Sequence, residues 1–309
     1  MKFQTLFLIL ILLFASLFIN VDIGKYQKSS AIANIRIDDL KDNIDSSIAV
    51  NQPLTEISSD FPKIKCDAQI NARGGLLKYI NPPGQASENE NIFELNIQKR
   101  WPIASLTKLM SSIISIEEIG INNAVDISQK AIDMEGMSGE FITGEIFRTN
   151  DLIKAMLMVS SNDATMALAE KIGEKKFVEL MNKKAKELKM AETNFSEPTG
   201  LSYLNQSTSA DLVKLANYIY FYHPEIFEMS AIKERKIFNL NSTTSKKLIN
   251  INQFTGENNF LGGKTGYISD ETGRNLVAIF KKNDKIILTI ILGAENAFEE
   301  TKKMLECVK

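Results

Sequence analysis

Residues Trp101–Met110, WPIASLTKLM, put a proline where a helix can begin and then a serine three positions ahead of a lysine. Proline has no amide hydrogen to lose in a first turn, and Ile103, Ala104, Leu106, Leu109 and Met110 suit a helix that packs inward. Residues i and i+3 are neighbours on a helix, so Ser105 and Lys108 are expected to project side by side. An amine so placed takes a serine proton only when burial or a second cation lowers its pKa. Serine and lysine share this spacing by chance in many ordinary helix starts, so the meaning of the segment rests on what else the chain supplies.

The 309 residues, 44% hydrophobic and 24% charged, fit one large globular domain with a substantial core plus additional segments. A formal charge of -2 argues against a nucleic-acid partner. The single histidine, His223, excludes Ser-His-Asp chemistry unless that one residue serves it, and it excludes a histidine-rich metal site. It stands in FYHPEIF, ahead of Pro224 and after an apolar run, and reads as a loop or helix-end residue. No metal and no cofactor are expected.

Lys2 precedes an almost purely apolar run from Leu6 to Ile19, so residues 1–23 read as a signal peptide or an uncleaved signal anchor. The stretch from Phe3 to Ile23 approaches the roughly 20 residues of a bilayer-spanning helix, and the A-x-A pattern at Ala31–Ala33 lies far beyond it, which favours the anchor. Either way the remainder is exported. Residues 24–61 are polar and poor in aromatics, as a linker or stalk would be, which leaves residues 62–309 as the folded domain.

Within that domain KIKCDAQINAR, residues 63–73, alternates as a strand does, with GGLLKYI as its hairpin partner across Gly74-Gly75. NPPGQASENEN, residues 81–91, is a loop by composition. Helical patterns dominate from Ser105 to about Tyr222. Two strand-like runs follow, RNLVAIFKK from Arg274 and KIILTIILGA from Lys285, with a turn at NDK and a last helix in FEETKKMLECVK. The order predicts an α/β (α+β) fold: an antiparallel sheet built from both chain ends, flanked by helices, with a mainly helical insert.

Two further stretches stand out. In VSSNDATMALAE, Ser160 and Asn162 flank one residue where one apolar helical run gives way to another, a place to present both side chains to a cleft or simply to cap a helix. In FLGGKTGYISDETGRNLVAIF, Lys264-Thr265-Gly266 follows a glycine pair, and Gly266 either admits a ligand close to the backbone or marks an edge bulge.

S-x-x-K, S-x-N and K-T-G, in that order, match the serine penicillin-recognising set. From about Cys66 onward the chain resembles the low-molecular-mass penicillin-binding proteins, D-alanyl-D-alanine carboxypeptidases and endopeptidases that act on peptidoglycan. IASLTKLM is similar to the family's nucleophile helix, SSNDATMALAE to its second motif, GKTGYISDETG to its third, and NFSEPTGLSYLNQSTSADLVKLA to the segment between them. The resemblance implies a β-lactamase/DD-peptidase-like fold, with Ser105 as nucleophile, Lys108 as its base and Ser160 as a proton relay. It further implies that Lys264 lowers the proton affinity of Lys108, and that Asn162, Lys264, Thr265, Gly266 and Tyr267 bind substrate. The amides of Ser105 and Tyr267 would form the oxyanion hole. The implied partners are peptidoglycan stem peptides, β-lactam inhibitors and, through the N-terminal segment, the membrane of a bacterial cell envelope.

The chain also departs from the pattern. Carboxypeptidases of this family usually carry an arginine just after the final strand, and LGAENAFEETKK has none. Arg274 occupies a position similar to the carboxylate-binding arginine of class A β-lactamases, where it would lie alongside Lys264 and Thr265. The alternative is a solvent-facing arginine paired with Asp270 or Glu271. A β-lactamase of the same fold would need a deacylating carboxylate in an E-x-x-L-N loop, and Glu197 in SEPTGLS lacks that context. A non-catalytic penicillin-binding sensor or scaffold would keep the fold and lose chemistry, which the intact motifs argue against. The family fold packs together the elements that carry Cys66 and Cys307, which leaves either a disulfide or two small buried thiols. Carboxypeptidase and endopeptidase action both remain open.

Overall fold

Isoleucine and leucine, with Val277, Ala278 and Phe280, run almost unbroken through β10 (Arg274–Lys282) and β11 (Lys285–Ala294), as expected of strands covered on both faces. Leu276, Ala278 and Phe280 point to one side of the sheet, and Val277 and Ile279 to the other. Asn283 and Asp284 take positive φ between the strands, the two-residue turn whose twist suits a hairpin.

The computed structural model describes residues 66–82, 91–136 and 139–308, within a unit spanning Asp60–Lys309. The expected anchor at 1–23 and linker at 24–61 lie outside the described residues. Among the described residues no helix is long and apolar enough to cross a membrane.

The sheet has five strands in the order β2-β1-β11-β10-β9, every pair antiparallel, with β1 at Gly74–Ile80, β2 at Asn91–Leu95 and β9 at Phe260–Tyr267. Both chain ends therefore supply strands, as expected. The strand expected at residues 63–73 is absent over its described part, and Gly74-Gly75 begin β1 instead of turning a hairpin. Residues 66–73 cross the last helix, α8 (Ala297–Glu306), and are tied to it: the Asn71 amide donates to Glu300 at 2.9 Å, and Cys66 is disulfide-bonded to Cys307 with their Cα atoms 5.2 Å apart. These residues belong to no ladder among the described strands.

The inserted part begins with a two-residue strand, β3 (Trp101–Pro102), paired with β6 (Gln206–Ser207), so Pro102 ends a strand and does not open the helix. A tight turn at Ala104–Leu106 then leads into α1 (Thr107–Ile114), whose eight residues are all buried. Leu109, Met110 and Ile113 are fully enclosed, each stabilising the fold by about 1.5–3 kcal/mol. Around α1 pack α3 (Thr149–Met158), α4 (Asn162–Ile172), α5 (Glu174–Glu187), α6 (Ser209–Tyr222) and α7 (Pro224–Ala231). The short α2 (Gln129–Ile132) lies between two small ribbon strands, β4 (Ala124–Asp126) and β5 (Ile146–Arg148); a second ribbon pairs β7 (Glu234–Phe238) with β8 (Ser245–Ile249). His223 joins α6 to α7, a helix-end residue as expected, with its ring nitrogens 3.2 Å from Glu117 and from Glu225.

One core fills the space between the helices and one face of the sheet; a second, with Leu77, Phe280, Ile287 and Met304, lies under α8. The Cys66–Cys307 bond clamps the strap that covers the second core. Reducing it or replacing Cys66 by serine is expected to lower unfolding free energy by about 2–5 kcal/mol, because the bond closes a loop of 241 residues. Denaturant melts with and without reductant check this, and coincident curves would refute it.

Candidate active site

Lys108 and Lys264 are both almost wholly buried, at 0% and 1% exposure, and few side chains cost more to desolvate. Lys108 Nζ has three oxygens around it: Ser105 Oγ at 2.9 Å, Asn162 Oδ1 at 2.7 Å and the Thr199 carbonyl at 2.6 Å. Asn162 Oδ1 and the carbonyl can only accept, whereas a serine hydroxyl can also donate. A neutral amine meets this shell completely, with two N–H bonds to the fixed acceptors and its lone pair facing the Ser105 hydroxyl. Burial pulls Lys108 down to about 7, against the opposing influence of the Glu197 carboxylate. Lys264 is lowered well below the ordinary lysine value, first by burial and second by the charge of Lys108. Burial lowers Lys108, in place of the second cation that the resemblance implies.

Lys264 lies on β9, the edge strand, and its Nζ donates to Ser160 Oγ at 3.0 Å and to the Thr265 carbonyl at 2.9 Å. Ser160 sits between α3 and α4 with φ +58°, a left-handed conformation uncommon for a residue with a Cβ. It is not the helix cap. Ser161 caps α4 by accepting from the Ala164 amide at 3.0 Å, which frees Ser160 to face the cleft. Asn162, the first residue of α4, accepts from Lys108 and donates to the Glu135 carbonyl at 2.7 Å. The three motifs thus meet at one seam: α1, the α3–α4 junction and the free edge of β9.

Ser105, Ser160, Thr265, Gly266, Tyr267 and Arg274 line a cavity of about 240 Å³ whose far wall is apolar, with Leu276 and Phe298 among its residues. Arg274 pairs across the ladder with Tyr267, whereas Leu276 pairs with Thr265 and Val277 with Lys264, so Arg274 lies two and three residues along the strand from its expected place beside Thr265 and Lys264. Its guanidinium stacks on the Tyr267 ring at 4.6 Å and donates to the Glu295 carbonyl at 3.4 Å. Asp270 instead accepts from the Tyr267 hydroxyl at 2.8 Å.

Residues 86–296 match the family model for D-alanyl-D-alanine carboxypeptidase, peptidase S11. The chain belongs to that family. This S11 chain is 31% identical over 226 residues to the D-alanyl-D-alanine carboxypeptidase DacF of Bacillus subtilis, covering 70% of this chain and 58% of that protein. It is 34% identical over 214 residues to a D-alanyl-D-alanine endopeptidase of Haemophilus influenzae, covering 66% of this chain and 73% of that protein. The solved structure of penicillin-binding protein D2 from Listeria monocytogenes, in its ampicillin-bound form, has a TM-score of 0.62 and 26% identity, covering 77% of this chain and 97% of that one. The chain spans less than two thirds of the B. subtilis relative's length.

Two glycines hold the Ser105 turn of this S11 domain; the sequence marks Gly266 as a point of close backbone approach and gives no sign of Gly200. A Cβ on Gly266 would stand 2.8 Å from the Ile103 carbonyl oxygen, so the close approach expected there is made by the protein's own backbone. A Cβ on Gly200, at φ +90°, would stand 2.1 Å from the Ala104 carbonyl oxygen. Glu197 organises the Gly200 loop. Its carboxylate accepts from the amides of Thr199 and Gly200 and from the Thr199 hydroxyl, each at 2.6 Å, and from Asn205 Nδ2 at 2.9 Å. Asn205 Nδ2 also reaches Thr107 on α1 at 3.1 Å. The loop's product is the Thr199 carbonyl that faces Lys108.

Proposed function

We propose that this protein is a serine DD-peptidase that hydrolyses D-alanine-containing peptide bonds of peptidoglycan stem peptides or cross-links through an acyl-enzyme, and that β-lactams inhibit it. The observation that carries this reading is the buried Lys108 amine, 2.9 Å from Ser105 Oγ. Lys108 takes the Ser105 proton as Oγ attacks the carbonyl, with the amides of Ser105 and Tyr267 receiving the developing oxyanion. Ser160 passes a proton to the departing nitrogen as the C–N bond breaks. Water then cleaves the ester and restores the Ser105 hydroxyl. Asn162 holds the substrate amide; Lys264, Thr265 and Arg274 receive its carboxylate.

Glu197 has both oxygens engaged by loop donors, which supports a structural role and disfavours a β-lactamase reading in which it would activate water. Residues 1–23 would anchor the protein to the cytoplasmic membrane, with residues 24–61 as stalk and the domain outside, in the cell envelope.

Labelling with a fluorescent penicillin, followed by mass spectrometry of the digested adduct, tests the reading. The adduct is expected on Ser105; one on Ser160 or Ser161 would overturn the assignment, and no adduct at all would favour a scaffold. Because the reactive amine is the neutral one, acylation should fall about tenfold per pH unit below about 7 and level off above it. A flat profile from acid to neutral pH would refute Lys108 as base. Arg274→Ala should reduce kcat/KM on carboxylate-ended peptides by a further ~1.5–3 kcal/mol relative to matched amides. Equal losses on both would leave the carboxylate to Lys264 and Thr265.

A further inference from the structure

Asn275, on β10, is buried at 1% exposure behind the cavity beside Ser105. A buried amide side chain needs partners at both ends, and this one finds them on different elements. Its Oδ1 accepts from the Gly293 amide of β11 at 2.8 Å, and its Nδ2 donates to the Pro102 carbonyl at 3.0 Å, three residues ahead of Ser105. One orientation of the amide serves both, since the Gly293 N–H only donates and the carbonyl only accepts. A bulge makes room for the first bond. The β10–β11 register shifts between Arg274 and Leu276, and Gly293, at φ +66°, has no Cα partner on β10, so its amide is free to turn to the Asn275 side chain. Across the other ladder Asn275 pairs with Gly266, whose Cα abuts the Ser105 turn: a Cβ there would stand 2.8 Å from the Ile103 carbonyl oxygen and 3.3 Å from the Leu106 amide nitrogen. Gly266 sets how closely the turn approaches β9. A directional bond is needed to set where along the strand it rests, and the Asn275–Pro102 bond is one.

We propose that Asn275 is a positioning residue for the oxyanion hole: it holds the Ser105 turn at the place along β9 where the amides of Ser105 and Tyr267 converge on one oxygen. The inference rests on the acyl-transfer reading above and adds to it the group that sets the spacing of the two donors. Ser105 belongs to the inserted part of the chain and Tyr267 to the sheet, so neither donor fixes the other through its own element. Donors aimed at a developing negative charge lose their worth when misplaced by a fraction of an ångström to an ångström, so a tie between the two elements has a catalytic effect out of proportion to its strength. Asn275 makes no hydrogen bond to either buried lysine. Lys108 is held by Ser105, Asn162 and Thr199, and Lys264 by Ser160 and Thr265. Loss of the Asn275 amide therefore slows the steps that pass through an oxyanion and leaves the proton affinity of Lys108 and the grip on the substrate carboxylate in place.

The test uses Asn275→Leu, which keeps the branched shape and removes both hydrogen bonds, with a fluorescent penicillin and a pentapeptide ending in D-Ala-D-Ala as probes. The rate of penicillin acylation and the rate at which the adduct is released are each expected to fall about tenfold, because both pass through an oxyanion on the same carbonyl. The midpoint of the acylation pH profile should stay at about 7. Pentapeptide binding to Ser105→Ala should change by less than about twofold when Asn275→Leu is added. Asn275→Ala, which brings no branched apolar side chain, carries the same expectations if the leucine variant does not fold. Trp101→Phe loosens the same segment at another point, where the indole donates to the Thr272 carbonyl at 2.9 Å, and should leave both rates within about twofold of the parent. Unchanged rates in the Asn275 variants, a loss confined to acylation, or an equal loss in Trp101→Phe would overturn the proposal. So would a shifted midpoint or weakened pentapeptide binding alongside the slower rates, since either marks a general disturbance of the cleft. A parent protein that takes no penicillin fails at the acyl-transfer reading itself, and the inference falls with it.

Discussion

Ser105→Ala is expected to abolish penicillin labelling and peptide hydrolysis, and Lys108→Met to lower the acylation rate by about four orders of magnitude. The two side chains act as one unit across 2.9 Å, so the double variant should be little worse than either single one. Methionine has nearly the shape of lysine without its amine, so the core stays filled, while the Asn162 and Thr199 oxygens lose their donor at about 1–3 kcal/mol each. Circular dichroism and melting should therefore show a folded protein with no chemistry. Lys108→Arg should be equally inactive, since a guanidinium keeps its proton at any working pH. Retention of substantial acylation in any of these variants would show that another group deprotonates Ser105.

Glu197→Gln should show two effects at once. The substitution turns an acceptor surrounded by N–H and O–H donors into a side chain that carries its own N–H₂, so the loop from Glu197 to Ser202 loses part of its clasp. Leaving one or two of those buried donors unmatched costs about 1–3 kcal/mol each, visible as a lower melting temperature. The second effect is electrostatic. The Glu197 carboxylate holds the Lys108 pKa up against burial, so its removal should move the midpoint of the acylation profile below about 7. Acylation at alkaline pH should fall at least about tenfold as the Thr199 carbonyl drifts from Lys108. A lower melting temperature with an unmoved midpoint would show that Glu197 supports the loop without acting on Lys108.

The parts of this site legible in the sequence are those where chemistry demands particular residues at short spacings. Ser105 and Lys108 are one helical turn apart, and Lys264-Thr265-Gly266 are consecutive. The hairpin of β10 and β11 was equally plain, because two long apolar runs meet at Asn283-Asp284. Gly200, Glu197 and Asn205 were not, since their meaning arises from contacts with α1, about a hundred residues earlier for Asn205 and Thr107, and no local pattern encodes such a contact. The beginning of β1 was misplaced for a related reason. Residues 63–73 alternate like a strand, but their described part is committed to α8 through Glu300 and Cys307. The ribbon of β7 and β8 escaped notice because its charged residues face solvent and only Ile237 and Leu248 are buried.

The order β2-β1-β11-β10-β9 places the last strand of the chain at the middle of the sheet, between the first strand and the tenth. A ribosome delivers the Ser105 helix and the Ser160 junction long before it delivers β11, and until then β1 has no central neighbour and β10 no second partner. Such long-range pairing is slow to form, because much of the chain must be confined before any ladder contact stabilises it. The edge strand that carries Lys264 has β10 as its one ladder partner among the described strands, and β10 in turn pairs with β11, so the sheet side of the cleft is completed by the last strand. Until then the Ser105 turn and Lys264 belong to parts of the chain that the central strand has not yet locked together, and the cleft between them is incomplete.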